Sequence, residues 1–441
     1  MVRPSHRDGH EHSRRTDGLI TPPHPQGIVR WLAPLLIVFL LLSSGTPLEP
    51  TLGEVRHTSH QIEAEIVSWR VGDEWRYDVE LDAVKLVDES PDLAGSYLNI
   101  LRGDARMWVA EASLYNDSGE VFPAYRVEIT ASVDGDGSFP EPNTGIFASG
   151  TLYVTYGETR WVRTSDLAIL ERTQSMHLMF DAFGIWEEVI ADFDQVHDYT
   201  PAQEAHDFPI GVGEQWNTAS DHSEVYSGAS GPVDLPAGVE EEELIIVYNV
   251  VELGESPPSG FGCEDAFRID WNNTEGEILE RHWWCPAVRN DVYWWTDDIA
   301  MDGVDGEFWL TSYTPASQVR HTIGLDRTSS PLKQTVNVTT SDASATLWYH
   351  GQRIEFNGSS SMELNIGNRM DNTPTSEDWG THGIVVCTDV ESNEMACEVL
   401  TIALEGSAIG ALLREDAFSR APPMLNVGHQ TANRLALSLR F

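Results

Sequence analysis

Six aromatic residues crowd one short span of the chain: Trp283, Trp284, Tyr293, Trp294, Trp295 and Trp309. Adjacent tryptophans on a strand point to opposite faces, so one of each pair fills a core while its neighbour is exposed or covered by another domain. On that pattern Trp284, Trp294 and Trp295 are the candidates for stacking a sugar ring or lining a groove for acyl chains, against the plainer role of core and interdomain packing. Two acidic runs, Asp134-Gly135-Asp136-Gly137-Ser138 and Asp302-Gly303-Val304-Asp305-Gly306-Glu307, place carboxylates at alternate or near-alternate positions, a spacing that wraps calcium when the backbone loops around it. Neither completes an EF-hand loop, and Asp-Gly is favoured in tight turns for backbone reasons, so both are read as acidic β-turns. No metal ligand and no cofactor is assigned.

The usual catalytic signatures are missing. There is no Gly-x-Ser-x-Gly elbow, Walker loop, His-Glu-x-x-His or dinucleotide-binding glycine pattern. An enzyme would have to rely on carboxylates alone, as a polysaccharide hydrolase does with a pair of them. With 70 Asp+Glu in the chain, some pair stands at the right separation by accident, so carboxylate abundance diagnoses nothing.

Those 70 acids face only 27 Lys+Arg, for a formal charge of −43 over 441 residues, and Lys occurs only at Lys85 and Lys333. Such a surface repels nucleic acid, and no basic stripe is present to offset it. A Lys-poor, carboxylate-rich surface stays soluble in concentrated salt, as in a marine or halophilic organism. The hydrophobic content of 41%, with fifteen Trp and fourteen Phe, supplies a core and argues against disorder.

Residues 1–27 form an Arg- and His-containing tail in which Arg3, Arg7, Arg14 and Arg15 precede a largely apolar segment at 28–48, uncharged from Trp31 to Leu48 after Arg30. That order predicts a cytoplasmic N-terminus, with everything after Glu49 exported behind a signal peptide or a single membrane anchor. The tract His6, His10, His12 is read as polar filler of the tail. All four cysteines, Cys263, Cys285, Cys387 and Cys397, lie beyond the segment and pair locally as two disulfides in this reading; a zinc site finds no Cys-x-x-Cys to support it.

Alternation of period two dominates after residue 60, as in Tyr125-Arg126-Val127-Glu128-Ile129, so strands build the protein. Trp186 to Val196 is the best short helix candidate, and the stretch from there to Phe208 reads as a linker. Val71-Gly72-Asp73-Glu74-Trp75 recurs as Val212-Gly213-Glu214-Gln215-Trp216, and Ile169-Leu170-Glu171-Arg172 as Ile278-Leu279-Glu280-Arg281. These echoes predict a mainly β fold: tandem, duplicated antiparallel units of half-barrel type at 60–200 and 207–315. An immunoglobulin-like β-sandwich at 318–405 and a C-terminal tail at 406–441 complete the chain.

The Val-Gly-Asp-x-Trp opening, Trp161-Val162-Arg163-Thr164-Ser165-Asp166-Leu167-Ala168, the Trp283-Trp284-Cys285-Pro286 hairpin and the acidic composition resemble membrane-anchored, β-rich acidic ectodomains of marine planktonic archaea. The hairpin is also similar to late strands of secreted half-barrels of the lipoprotein-carrier type. The resemblance spans roughly residues 65–405 and implies fold and location, with no activity attached. The expected protein is an exported cell-envelope interaction or structural protein, at the cell surface or extracellular, with an envelope partner of unknown identity and no catalytic site. The alternatives are a carrier of a lipid or other apolar ligand in a half-barrel, and a secreted polysaccharide hydrolase.

Overall fold

The computed structural model describes residues 63–405, apart from 90–92, 118, 142–143, 231–237, 258–260, 298–302, 318–320, 332–333, 350, 367–379 and 391. The N-terminal tail, the hydrophobic segment and the C-terminal tail expected from the sequence, with Asp302, lie outside the described residues. Among the described residues no helix is long and apolar enough to cross a membrane.

The first part of the chain runs through β1 (Glu63–Ala64), β2 (Glu74–Asp82), the short helix α1 (Val84–Glu89), β3 (Tyr97–Leu98), β4 (Leu101–Asp117), β5 (Glu120–Pro140), β6 (Phe147–Arg163), β7 (Ile169–Asp181) and β8 (Glu187–Gln203). It continues through β9 (Ile210–Gly211), β10 (Gln215–Ser230), β11 (Gly238–Gly254), β12 (Ala266–Asn272), β13 (Ile278–Cys285), β14 (Asn290–Thr296) and β15 (Asp305–Thr314). Twelve of these strands close into one antiparallel barrel in the order β2-β4-β5-β6-β7-β8-β10-β11-β12-β13-β14-β15, with β15 returning to pair with β2. Each strand lies beside the next in sequence, so the barrel is an up-and-down meander with a single long-range seam. The stretches 60–200 and 207–315 thus share one continuous sheet.

Two turns start the two six-strand runs, and they are built alike. Gly72 and Gly213 adopt φ of +94° and +88°, a region open to glycine at no steric cost. The Gly72 amide donates to the Val109 carbonyl in β4, and that of Gly213 to Val250 in β11, both at 2.9 Å. The next residue is acidic in each: Asp73 accepts from the Arg70 amide and Glu214 from the Gly211 amide, both at 2.8 Å. Each run then carries a bulge just past its contacted valine, at Val109/Glu111 and at Val250/Glu252. The lead-in segments before the turns pair with each other as β1 and β9. The other sequence echo is not matched in space: Ile169–Arg172 lies on the fifth strand of its run and Ile278–Arg281 on the fourth.

The structure corrects three local expectations. Trp186 to Val196 enters strand β8, not a helix, because Ala191, Phe193, Gln195, His197 and Tyr199 alternate into the barrel with period two. The supposed linker to Phe208 is no free tether: Ala205 and Phe208 are buried, and His206 packs on Trp284 with ring centroids 4.5 Å apart. Asp134-Gly135-Asp136-Gly137 is the interior of β5, not a turn. A Cβ at Gly135 would stand 2.7 Å from the Leu101 side chain, so glycine is required by the packing behind it, while the two aspartates sit exposed on the outer face.

Beyond the barrel, β16 (Ile323–Leu325), β18 (Thr335–Thr340) and β21 (Ser361–Asn365) form one sheet. The second holds β17 (Ser329–Pro331), β19 (Thr346–Tyr349), β20 (Gln352–Glu355), β22 (Gly380–Thr388) and β23 (Ala396–Glu405). Val336, Val338, Leu347, Leu364, Ile384, Val386 and Ile402 fill the core of this β-sandwich. Cys387 and Cys397 stand directly opposite each other on β22 and β23 and are bonded, as are Cys263 and Cys285 beside the barrel wall. The sandwich docks on the barrel through the Val399 amide donating to Ser68 Oγ at 2.9 Å and a bridge of Ala112 to residues 393 and 395.

The outer face of the barrel opposes like charges across strands: Asp78 with Asp104, Asp82 with Asp305, Asp181 with Glu187 and Asp221 with Glu243. Such pairs are destabilising, and salt weakens exposed repulsions as the Debye length falls from about 30 Å at 0.01 M to about 3 Å at 1 M. The melting midpoint is therefore expected to climb as sodium chloride is raised. Because Asp134 and Asp136 lie along a strand, trace calcium at fixed ionic strength should move it little. A flat sodium series would contradict the charge argument.

Candidate ligand-binding site in the barrel lumen

Strands of a closed barrel send every second side chain inward. Along β6 that phase runs Leu152, Val154, Tyr156, Glu158, Arg160, Val162, so a carboxylate and a guanidinium interrupt an otherwise apolar or aromatic row. Glu158 pairs with Arg160 on its own strand and with Arg172 on β7, the latter at 3.1 Å. Its side chain is 1% exposed. Burial alone would raise its pKa, but the two guanidiniums and the Tyr156 hydroxyl, which donates to it, outweigh burial and hold it at about 2.

The other run answers with a cluster of opposite balance. On β13 and β14, His282 bonds Asp291 through Nδ1 at 2.8 Å and Glu280 through Nε2 at 2.9 Å. Burial disfavours the imidazolium, yet Asp291 and Glu280 together carry its pKa up to about 9. Trp271 stacks on the same ring at 4.3 Å. One cluster thus sets two guanidiniums around one carboxylate, and the other sets two carboxylates around one imidazolium. Both clusters lie on the fourth and fifth strands of their runs.

Between them is a cavity of about 280 Å³. Both clusters line it, together with Trp69, Trp271, Trp284, Trp294, Tyr199 and His206. Arg160 and Arg172 keep 20% and 21% of their side-chain surface accessible, and both line the cavity. The Arg160 guanidinium stands 6.0 Å from the Trp294 ring, so the two walls meet here. Four buried polar atoms of lining residues have no hydrogen-bond partner: Nε1 of Trp271 and of Trp284, Nδ1 of His206 and Oδ1 of Asp291. His206 is neutral at physiological pH, since burial lowers its pKa to about 4.

Of the tryptophans singled out from the sequence, Trp284 and Trp294 stand in this wall, while Trp295, adjacent to Trp294 on β14 and opposite Arg281 and Glu307, belongs to the other face of the sheet. Sequence reasoning missed Glu158, Arg160, Arg172, His282 and Asp291. The available signal was the phase, because Glu158 and Arg160 share the parity of Leu152 and Val162.

Next along the lumen, β8 and β10 place His197, His222 and Glu224 side by side. Burial, with Arg172 and His222 close by, pushes the His197 pKa down to about 3. A second cavity, of about 390 Å³, lies where the sandwich meets the barrel and is lined by Asp166, Glu204, Asp207 and the edge of Trp348, which is 3% exposed. Burial there, with Asp207 and Asp166 adjacent, raises Glu204 to about 8.

No protein-family model matches the chain, and no curated protein does. Among solved structures, Salmonella α2-macroglobulin reacted with methylamine is 8% identical with a TM-score of 0.13, and native E. coli α2-macroglobulin is 9% identical with the same score. Each alignment covers 77% of this chain and 21% of the other, so the chain spans about a fifth of those proteins. That score is too low to carry any inference about fold or activity.

Proposed function

We propose that this is an exported binding protein that takes a small ring-bearing organic anion into its barrel. The observation that carries this is the facing pair of clusters across the lumen. Arg160 and Arg172 offer forked donors to a carboxylate, sulfonate or phosphate, and Trp271, Trp284 and Trp294 offer faces to a flat ring. The lumen is poorly suited to an acyl chain, because a hydrocarbon tail would leave the charges and orphan atoms unsatisfied. The hydrolase alternative asked for paired carboxylates beside an exposed tryptophan, and at the acidic cleft Trp348 is buried. The two disulfides fit an oxidising, extracytoplasmic compartment.

On this proposal the barrel is one duplicated six-strand unit joined to its copy, the two half-barrels of the sequence expectation closing on each other. The C-terminal sandwich is an immunoglobulin-like module with a disulfide inside one sheet. Envelope attachment then rests with the N-terminal segment, and the sandwich presents the acidic surface to a partner.

Quenching of intrinsic tryptophan fluorescence tests the lumen. Benzoate and phenylalanine represent ring-bearing anions and zwitterions, benzylamine a ring-bearing cation, and palmitate an acyl chain. Saturable quenching by the first two, absent with benzylamine and lost in Arg160→Met, is expected. Saturation by palmitate alone would transfer the proposal to the lipid-carrier class, and no response to any of the four would remove it.

A further inference from the structure

His197 and Glu224 are direct cross-strand partners on β8 and β10, and His222 lies two residues from Glu224 on the same inward face. Their ligand atoms all lie within 4.8 Å of one another, with Nδ1 of His197 and Nε2 of His222 2.9 Å apart. Two imidazole nitrogens and a carboxylate oxygen are the donor set of a three-ligand zinc site, in which bonds of about 2.0–2.1 Å put neighbouring ligand atoms a little over 3 Å apart. The histidine nitrogens stand a few tenths of an ångström closer than that and open slightly to take the ion, while Glu224, half-buried and now bonded by the Gln195 amide, closes on it. Tyr199 stacks on both rings, 5.1 Å from His222 and 6.3 Å from His197, and fixes their planes.

We infer that His197, His222 and Glu224 form a site for a divalent transition-metal ion, zinc by its ligand chemistry, on the lumen wall of the barrel. It uses none of the residues assigned to the organic ligand. The neighbouring amide of Gln174 supplies the outer-shell partner that metal-bound histidines require. In one orientation its oxygen lies 3.3 Å from Nε2 of His197 and accepts that proton, which leaves Nδ1 free to bind the ion, while its nitrogen faces the Arg172 guanidinium and its oxygen faces Gln195 Oε1. In the other, its nitrogen donates to Gln195 at 2.8 Å and its oxygen accepts from Arg172, which closes a hydrogen-bonded network with the proton on Nδ1. The ion therefore takes the place of the proton on Nδ1, which moves to Nε2, and turns one amide. Zinc is favoured over magnesium or calcium because imidazole is the majority ligand.

The test uses the full chain, stripped with a chelator and titrated with zinc chloride by calorimetry, with bound metal counted after gel filtration. One zinc per chain is expected. Gln174→Ala should weaken binding by about 10–100-fold, and Glu224→Gln and His222→Gln should weaken it further. The N-terminal variant His6→Ala/His10→Ala/His12→Ala should bind as the parent does. Far-ultraviolet circular dichroism checks that each variant is folded, and Glu224→Gln, half-buried and isosteric, serves if His222→Gln is not. Absence of stoichiometric zinc in the parent overturns the inference. So does binding that survives both Glu224→Gln and His222→Gln, or binding that disappears with the N-terminal histidines.

Discussion

Glu158→Gln is expected to destabilise the folded protein by about 3–5 kcal/mol, the cost of breaking a buried ion pair by removing one partner. The substitution is isosteric and opens no cavity, so the loss is electrostatic: Arg160 and Arg172 lose the carboxylate they share and repel each other inside the lumen. The double variant Glu158→Gln/Arg172→Met removes that repulsion and should regain a large part of the loss in a double-mutant cycle. The same single change makes the lumen more positive, so affinity for benzoate should rise while stability falls. A purely structural triad would lose both together. Because the Glu158 pKa is depressed in the folded state, its contribution is present above the ordinary carboxylate range and is lost as pH falls toward 2. Urea unfolding at pH 7 and at pH 3 measures both statements, and a loss below about 1 kcal/mol, the ceiling for an exposed pair, would contradict the buried-triad description.

His282 should make the protein sensitive to alkali. Its folded pKa of about 9 lies above the ordinary 6.5, so its contribution to stability is complete below pH 6.5 and disappears as pH climbs through 9. The displacement of two to three pH units corresponds to about 3 kcal/mol. Physically, deprotonation leaves Asp291 and Glu280 facing each other across a neutral ring in a buried wall. The parent should lose stability progressively between pH 6.5 and 9. His282→Gln, less stable at the outset, should be nearly flat over that window. Parallel profiles for the two proteins would show that His282 is not the group that titrates.

The features legible in the sequence were those carried by adjacent residues. Period-two alternation announced strands, and Val71–Trp75 with Val212–Trp216 announced two equivalent turns. The short intervals between cysteines announced local bridges, now seen at Cys263–Cys285 and Cys387–Cys397. What stayed hidden depends on closure. Once β15 joins β2, a phase that reads as the solvated face of an acidic strand becomes the inside of a barrel, and in a chain with 70 acids the residues of the two faces look alike. The pair His197 and His222 was invisible for a related reason: 25 positions separate them, and only the β8–β10 register brings them together. Trp186 to Val196 misled because its apolar residues fit a helical spacing as well as an alternating one, and pairing with β7 and β10 decided the matter.

The order of the meander bears on how the chain comes to be folded. Every neighbouring pair in the barrel except one joins strands that follow each other around the barrel, with no more than a short helix and a two-residue strand between them, so they find each other at small entropic cost. The exception is the seam, where Tyr313 of β15 bonds Asp73, 240 positions earlier. Ring closure must therefore await nearly the whole of the barrel sequence. A growing or translocating chain that has not yet delivered residues 305–314 is an open, curling sheet with β2 at one edge and its newest strand at the other. Unpaired edges template association with other chains. The exposed carboxylates of the outer face then act before the native state exists, since mutual repulsion between unfinished copies keeps those edges apart until the last strand arrives.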